Sequence, residues 1–162
     1  MAKLIKGRAP ADNDWSLAGT PGAESAQLLI LPLADFIKAI EAGEPAARRA
    51  PLLKAADHDV APLLPYLARV PLVAIDFAST GDGRGFTQAR LLRQRHGYKG
   101  ELRAVGKIRA DQMFFLARCG FDAFELLDDE DIATAVAQLD RFSVAYQTGS
   151  GVLAHPRRRF GS

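Results

Sequence analysis

LVAIDFASTGDGRGFTQARLLRQRHGYKGELRAVGKIRADQMFFLARCGFDAFELL, residues 72–127, decides the fold. Leu72 to Phe77 is apolar except for Asp76, with β-branched Val73 and Ile75, as suits a strand buried on both faces of a parallel sheet. Glycines at 81, 83 and 85 make the next stretch a loop. From Phe86 the period becomes helical, with Phe86, Ala89 and Leu92 on one stripe, Arg90, Arg93 and Gln94 on a polar side, and Gly97 as a stop. The cycle then repeats. Leu102–Val105 reads as a strand, Asp111 as the cap of a helix from Gln112 to Cys119, and Ala123–Leu126 as a third strand. Acidic residues 128–131 suit the start of a final helix, whose Ile132, Ala135, Val136 and Leu139 share a stripe.

Upstream of that stretch the signals thin out. Gln27–Leu31 and Pro51–Ala55 are strand candidates, with helices through Phe36–Ile40 and Leu63–Leu67 after them. Residues 1–26 are weakly patterned, with Leu4–Ile5 as a possible short strand. The expected architecture is a single α/β domain over 27–147, with about five mostly parallel strands and helices on both faces. A Rossmann-like or a partial-barrel arrangement satisfies that pattern. FSVAYQ (142–147) has the composition of an edge strand or extended cover, and 148–162 reads as a flexible basic tail.

Composition narrows the classes. At 48% apolar and 25% charged the chain suits an ordinary soluble domain. A net charge of +2 is too small to point to nucleic acid or a membrane surface. No apolar run approaches a membrane span and no leader-like stretch follows Met1, so a cytoplasmic location is expected. Cys119 is the single cysteine, and His58, His96 and His155 are scattered, so neither a metal site nor an iron–sulfur cluster is expected. No cofactor is expected either: the glycine loop lacks the third glycine of a dinucleotide fingerprint, and Gly100–Ile108 lacks the spacing and hydroxyl residue of a P-loop.

Ligands of open parallel sheets bind beyond the carboxyl ends of the strands. That rule gathers His58, Asp76, Lys107, Arg109 and Asp111, together with the loop Asp82-Gly83-Arg84-Gly85-Phe86. Backbone amides and Arg84 suit a small anion, which Lys107 and Arg109 would help to neutralise. A tight turn in which Asp82 and Arg84 brace their own backbone accounts for the loop equally well.

The segments DGRGF, ARLLR, GYKGELRAVG, DQ and RCGFDAFEL, between Asp82 and Leu126, resemble the bacterial family called domain of unknown function 934. DNDW (12–15), LILPL (29–33) and VPLVAIDF (70–77) resemble it more loosely. Members are typically encoded beside assimilatory sulfite reductase and often labelled probable oxidoreductases involved in sulfite reduction. The resemblance therefore implies sulfur assimilation, with sulfite reductase or another protein of that pathway as partner, and leaves the reaction open. An accessory protein, binding the reductase or a small anion, asks least of these residues. The alternative is an enzyme acting on a small anionic metabolite.

Overall fold

The computed structural model describes residues 3–54, 59–77, 83–127 and 129–145, the last five by their backbone. Eight strands follow in chain order: β1 Lys3–Lys6, β2 Ala9–Ala11, β3 Ser16–Leu17, β4 Leu29–Pro32, β5 Arg49–Lys54, β6 Leu72–Phe77, β7 Glu101–Gly106 and β8 Ala123–Leu126. The α-helices are α1 Leu33–Glu41, α2 Arg84–Arg90, α3 Met113–Cys119 and α4 Ile132–Ala145, and a 3-10 helix runs over Ala61–Arg69. One mixed sheet holds every strand in the order β2-β1-β8-β7-β6-β5-β4-β3. From β3 to β8 the neighbours run parallel, whereas β1 pairs antiparallel with both β8 and β2.

The sheet is mostly parallel, as expected, but it has eight strands rather than about five. The three additional strands lie in 3–17: β1 holds Leu4–Ile5, the short strand the sequence offered there, whereas β2 and β3, of three and two residues, carry too little alternation to be read.

Helices lie on one face of the sheet, not on both. Strands β4 to β8 are laid down in sequential order, and crossovers of one hand then place each helix on the same side. Val73, Ile75, Phe77, Leu102, Ala104, Phe124 and Leu126 point into a core shared with Phe36, Leu63, Leu92, Met113, Leu116 and Leu139 of the helices. Their strand neighbours Leu72, Ala74 and Val105 point the other way, into a second cluster with Ile30, Ala50, Leu52 and Trp15.

That second face is buried without helices because the sheet curls on itself. Eight strands about 4.8 Å apart would span roughly 34 Å if flat. Yet β2 and β3, at opposite edges, are joined by residues 12–15 alone. Five extended steps from Ala11 to Ser16 reach at most about 18 Å. The edges must therefore approach one another, and the sheet forms an incomplete barrel with its helices outside. The 12–15 strap crosses towards the amino ends of the strands: Ser16 pairs with Leu29, the first residue of β4, and Trp15 packs on the inner cluster.

Local chemistry sets several boundaries. Pro65 lacks an amide hydrogen and sits inside the 61–69 helix, which winds as 3-10, while Asp59 accepts the Ala61 N–H at 3.2 Å. Gly120 ends α3 at φ +115, a conformation that other residues adopt only with strain. Asp131 caps α4 by accepting the Thr134 hydroxyl at 2.7 Å and the Thr134 N–H at 3.0 Å, and these hydrogen bonds hold its carboxyl below the usual carboxylate range. α4 runs on to Ala145, so 142–145 are helical rather than an edge strand. No Gly or Pro interrupts 132–145, and continuing a formed helix outweighs the β-leaning composition of Phe142 to Ala145. The expected tail lies outside the described residues.

Candidate functional site

In barrels of parallel strands, chemistry is assembled at the carboxyl ends. Here Lys54 ends β5, Asp76 is the penultimate residue of β6, and Gly106 ends β7. Lys54 and Asp76 are register partners, and by alternation with Leu52 and Ala74 both stand on the concave side. Asp76 is half-buried. Burial pushes its carboxyl above the usual range, and the positive charge of Lys54 opposes the shift.

Gly106 explains how β7 passes so close to that carboxylate. Its φ is +95, and a Cβ there would collide with an Asp76 carboxylate oxygen and come within 2.6 Å of the Phe77 carbonyl oxygen. Glycine is required here on both counts.

The residues after β7 hold distinct positions. Lys107 is exposed, with its own N–H donating to the Phe77 carbonyl at 2.8 Å, and buried Ile108 anchors the turn. The Arg109 guanidinium lies 2.9 Å from the Glu130 carboxylate, so part of its charge is neutralised. Asp111 is exposed and does not cap α3, because a 3-10 turn over Ala110–Gln112 precedes that helix. Gln112 Oε1 accepts the Arg109 N–H at 3.0 Å and Glu130 Oε1 accepts the Ala110 N–H at 2.6 Å, which leaves the turn no need of Asp111.

Of the glycine loop, Asp82 lies outside the described residues, as does His58. Gly83 precedes α2, Arg84 is its exposed first residue and Gly85 is buried. Phe86 is tied to the core: its ring sits 5.3 Å from Phe77 and 4.7 Å from Phe115.

Two arginines with structural roles escaped the sequence reading. Arg103, in the middle of β7, is 1% exposed; its Nε donates to Glu101 at 2.7 Å and its Nη2 lies 2.7 Å from the same carboxylate, while its Nη1 donates to Asn13 at 2.8 Å and Glu125 at 3.1 Å. This network fills the concave face near the strap. A charged residue flanked by Leu102 and Ala104 in a strand buried on both faces was its available signal. Arg93 was expected on a solvated helix face. Instead it is almost buried, donating to the carbonyls of Gly120, Tyr98 and Gly100 at 2.8–2.9 Å, with Asp122 at 3.4 Å. It lies in a π-helical turn, Leu91–Arg95, that follows α2 and shifts the facing of its side chains. Cys119 is buried, and burial pushes its thiol up, the opposite of an activated nucleophile. Among the described residues no group of three or more His, Cys, Asp or Glu could hold a metal ion, and no helix is long and apolar enough to cross a membrane.

A family model described as a bacterial protein of unknown function, DUF934, matches residues 52–154. The chain belongs to the DUF934 family. The DUF934 match begins inside β5 and takes in Lys54, Asp76, Arg84, Gly106, Lys107 and Arg109 together. The strap and β1 to β4 fall before it. No curated protein and no solved structure matches the chain.

Proposed function

We propose that this DUF934 protein is an accessory of assimilatory sulfite reduction that holds a small oxyanion at the carboxyl ends of its strands. The observation that supports anion binding is the placing of Lys54 at the end of β5 and Lys107 just after β7, on either side of β6, with Arg84 opening the helix that follows β6. These positions all lie at the carboxyl edge around β6, and like charges gathered there cost one another less when an anion lies between them. The pathway, and sulfite reductase as partner, come from the family resemblance of Asp82 to Leu126. A strain lacking the protein should grow poorly on sulfate or sulfite and normally on cysteine, and the protein should co-purify with the reductase. Normal growth on every sulfur source would count decisively against this role.

One observation favours a second reading. Asp76 is a half-buried carboxyl with an upward-shifted pKa at a strand end, the position from which barrel enzymes work. An enzyme acting on a small anionic metabolite would use it as a proton acceptor, and turnover by the isolated protein, without reductase, would establish that reading in place of the first.

A further inference from the structure

We propose that the site selects oxyanions that carry a proton, such as hydrogen phosphate or the S–OH form of hydrogen sulfite, over fully ionised sulfate, with Asp76 as the discriminating residue. The inference rests on the oxyanion reading above and adds its selectivity.

Cations alone would accept any small anion of suitable size. Asp76 changes the chemistry of the mouth. It stands on β6 between Lys54 of β5 and the turn after β7 that carries Lys107, and Gly106 leaves its carboxylate room against the β7 backbone. An ionised carboxylate accepts hydrogen bonds and donates none. Opposite a sulfate oxygen it would bring two acceptors and two negative charges together, with no proton between them. Opposite a P–OH or S–OH group it receives a short, charge-assisted hydrogen bond, while the lysines take the remaining oxygens. Burial makes the carboxylate more basic and so a better acceptor. Sites built to hydrogen-bond a ligand hydroxyl reject analogues lacking it far more strongly than apolar pockets reject a missing methylene.

The test is calorimetric titration of the full chain with sodium phosphate, sulfite and sulfate in neutral buffer at constant ionic strength. Phosphate or sulfite should bind wild type at least about ten-fold more tightly than sulfate. In Asp76→Asn, whose amide can donate to sulfate, the preference should shrink to about two-fold or less. Whichever of phosphate and sulfite binds more tightly identifies the occupant. Equal affinity for all three anions in wild type overturns the selectivity while leaving the oxyanion site standing. A preference that survives unchanged in Asp76→Asn removes Asp76 from the role. No binding of any anion overturns the oxyanion site and the inference together. If Asp76→Asn fails to fold, the wild-type ratio still decides the selectivity, and Gly106→Ala, which displaces the same carboxylate, should lower that ratio, an unchanged ratio removing Asp76 from the role.

Discussion

Replacing Arg103 with Met tests whether the ion network inside the barrel holds the sheet in its curl. Methionine keeps an apolar stem of similar length, so the change removes chiefly the charge, its ion pairs and three hydrogen bonds. Glu101 and Glu125, with side chains only 16% and 18% exposed, would then lose the guanidinium they share, and among the described residues only Glu101 would keep a cation, Lys6 at 3.2 Å. Removing one partner of a buried pair costs about 3–5 kcal/mol, mostly through the charges left behind. Both carboxylates retain some contact with water and Glu101 keeps Lys6, so the lower end, about 3 kcal/mol, is expected. With a urea slope of about 2 kcal/mol per molar, the unfolding midpoint should fall by roughly 1.5 M. Urea titration at neutral pH, followed by circular dichroism, measures this directly. Converting Glu101 and Glu125 to Gln in the same chain should recover more than half of the loss, since it removes the stranded charges. A midpoint shift below about 0.3 M in Arg103→Met, at unchanged slope, would falsify the claim that this network closes the barrel.

Arg93→Lys should lose nearly as much stability as Arg93→Ala, about 2–3 kcal/mol in denaturant titrations, because one ammonium cannot reach three carbonyls and a carboxylate in fixed directions. Gly106→Ala should lower the thermal midpoint and, by displacing the Asp76 carboxylate, weaken phosphate or sulfite binding; unchanged values of both would remove Gly106 from the site. Asp76 binds its proton more tightly folded than unfolded, so its contribution is favourable in acid and is lost as pH rises through its raised pKa. Asp76→Asn should therefore melt higher than wild type at neutral pH and equally below the ordinary carboxylate range, a divergence with rising pH that a series of thermal melts will show or fail to show.

What the sequence disclosed follows from how many residues each signal spans. Leu72–Phe77 and Ala123–Leu126 are strands at the expected residues, because six and four consecutive positions carry the pattern between glycine punctuation. The curl was not legible, since it depends on β2 and β3 reaching opposite edges, and strands of three and two residues leave no periodic trace. One-sided helix coverage follows from strand order, which periodicity does not encode. Arg93 was misplaced for a local reason: it lies in the π-helical turn after α2, and its side chain is held by the carbonyls of Tyr98, Gly100 and Gly120. In the candidate site, Asp76, Lys107 and Arg109 were marked by position alone. Glu130, which partly neutralises Arg109, comes from a loop two elements later, and Gly106 became informative only once β7 was seen beside Asp76.

The strap has a consequence for how the chain is made. Lys3 pairs with Leu126, so β1 has no partner on β8 until roughly 120 further residues have been synthesised. At about 5–20 residues per second that wait lasts on the order of 6–25 s, long compared with the microseconds in which a hairpin forms. Strands β4 to β8 face no such delay, since each docks beside its immediate predecessor as it emerges. By this order the nascent protein grows as a ribbon of parallel units with its first hairpin idle, and the clasp of β1 on β8 waits until the last strand is made. Until it engages, β8 presents an unpaired edge to every neighbouring nascent chain.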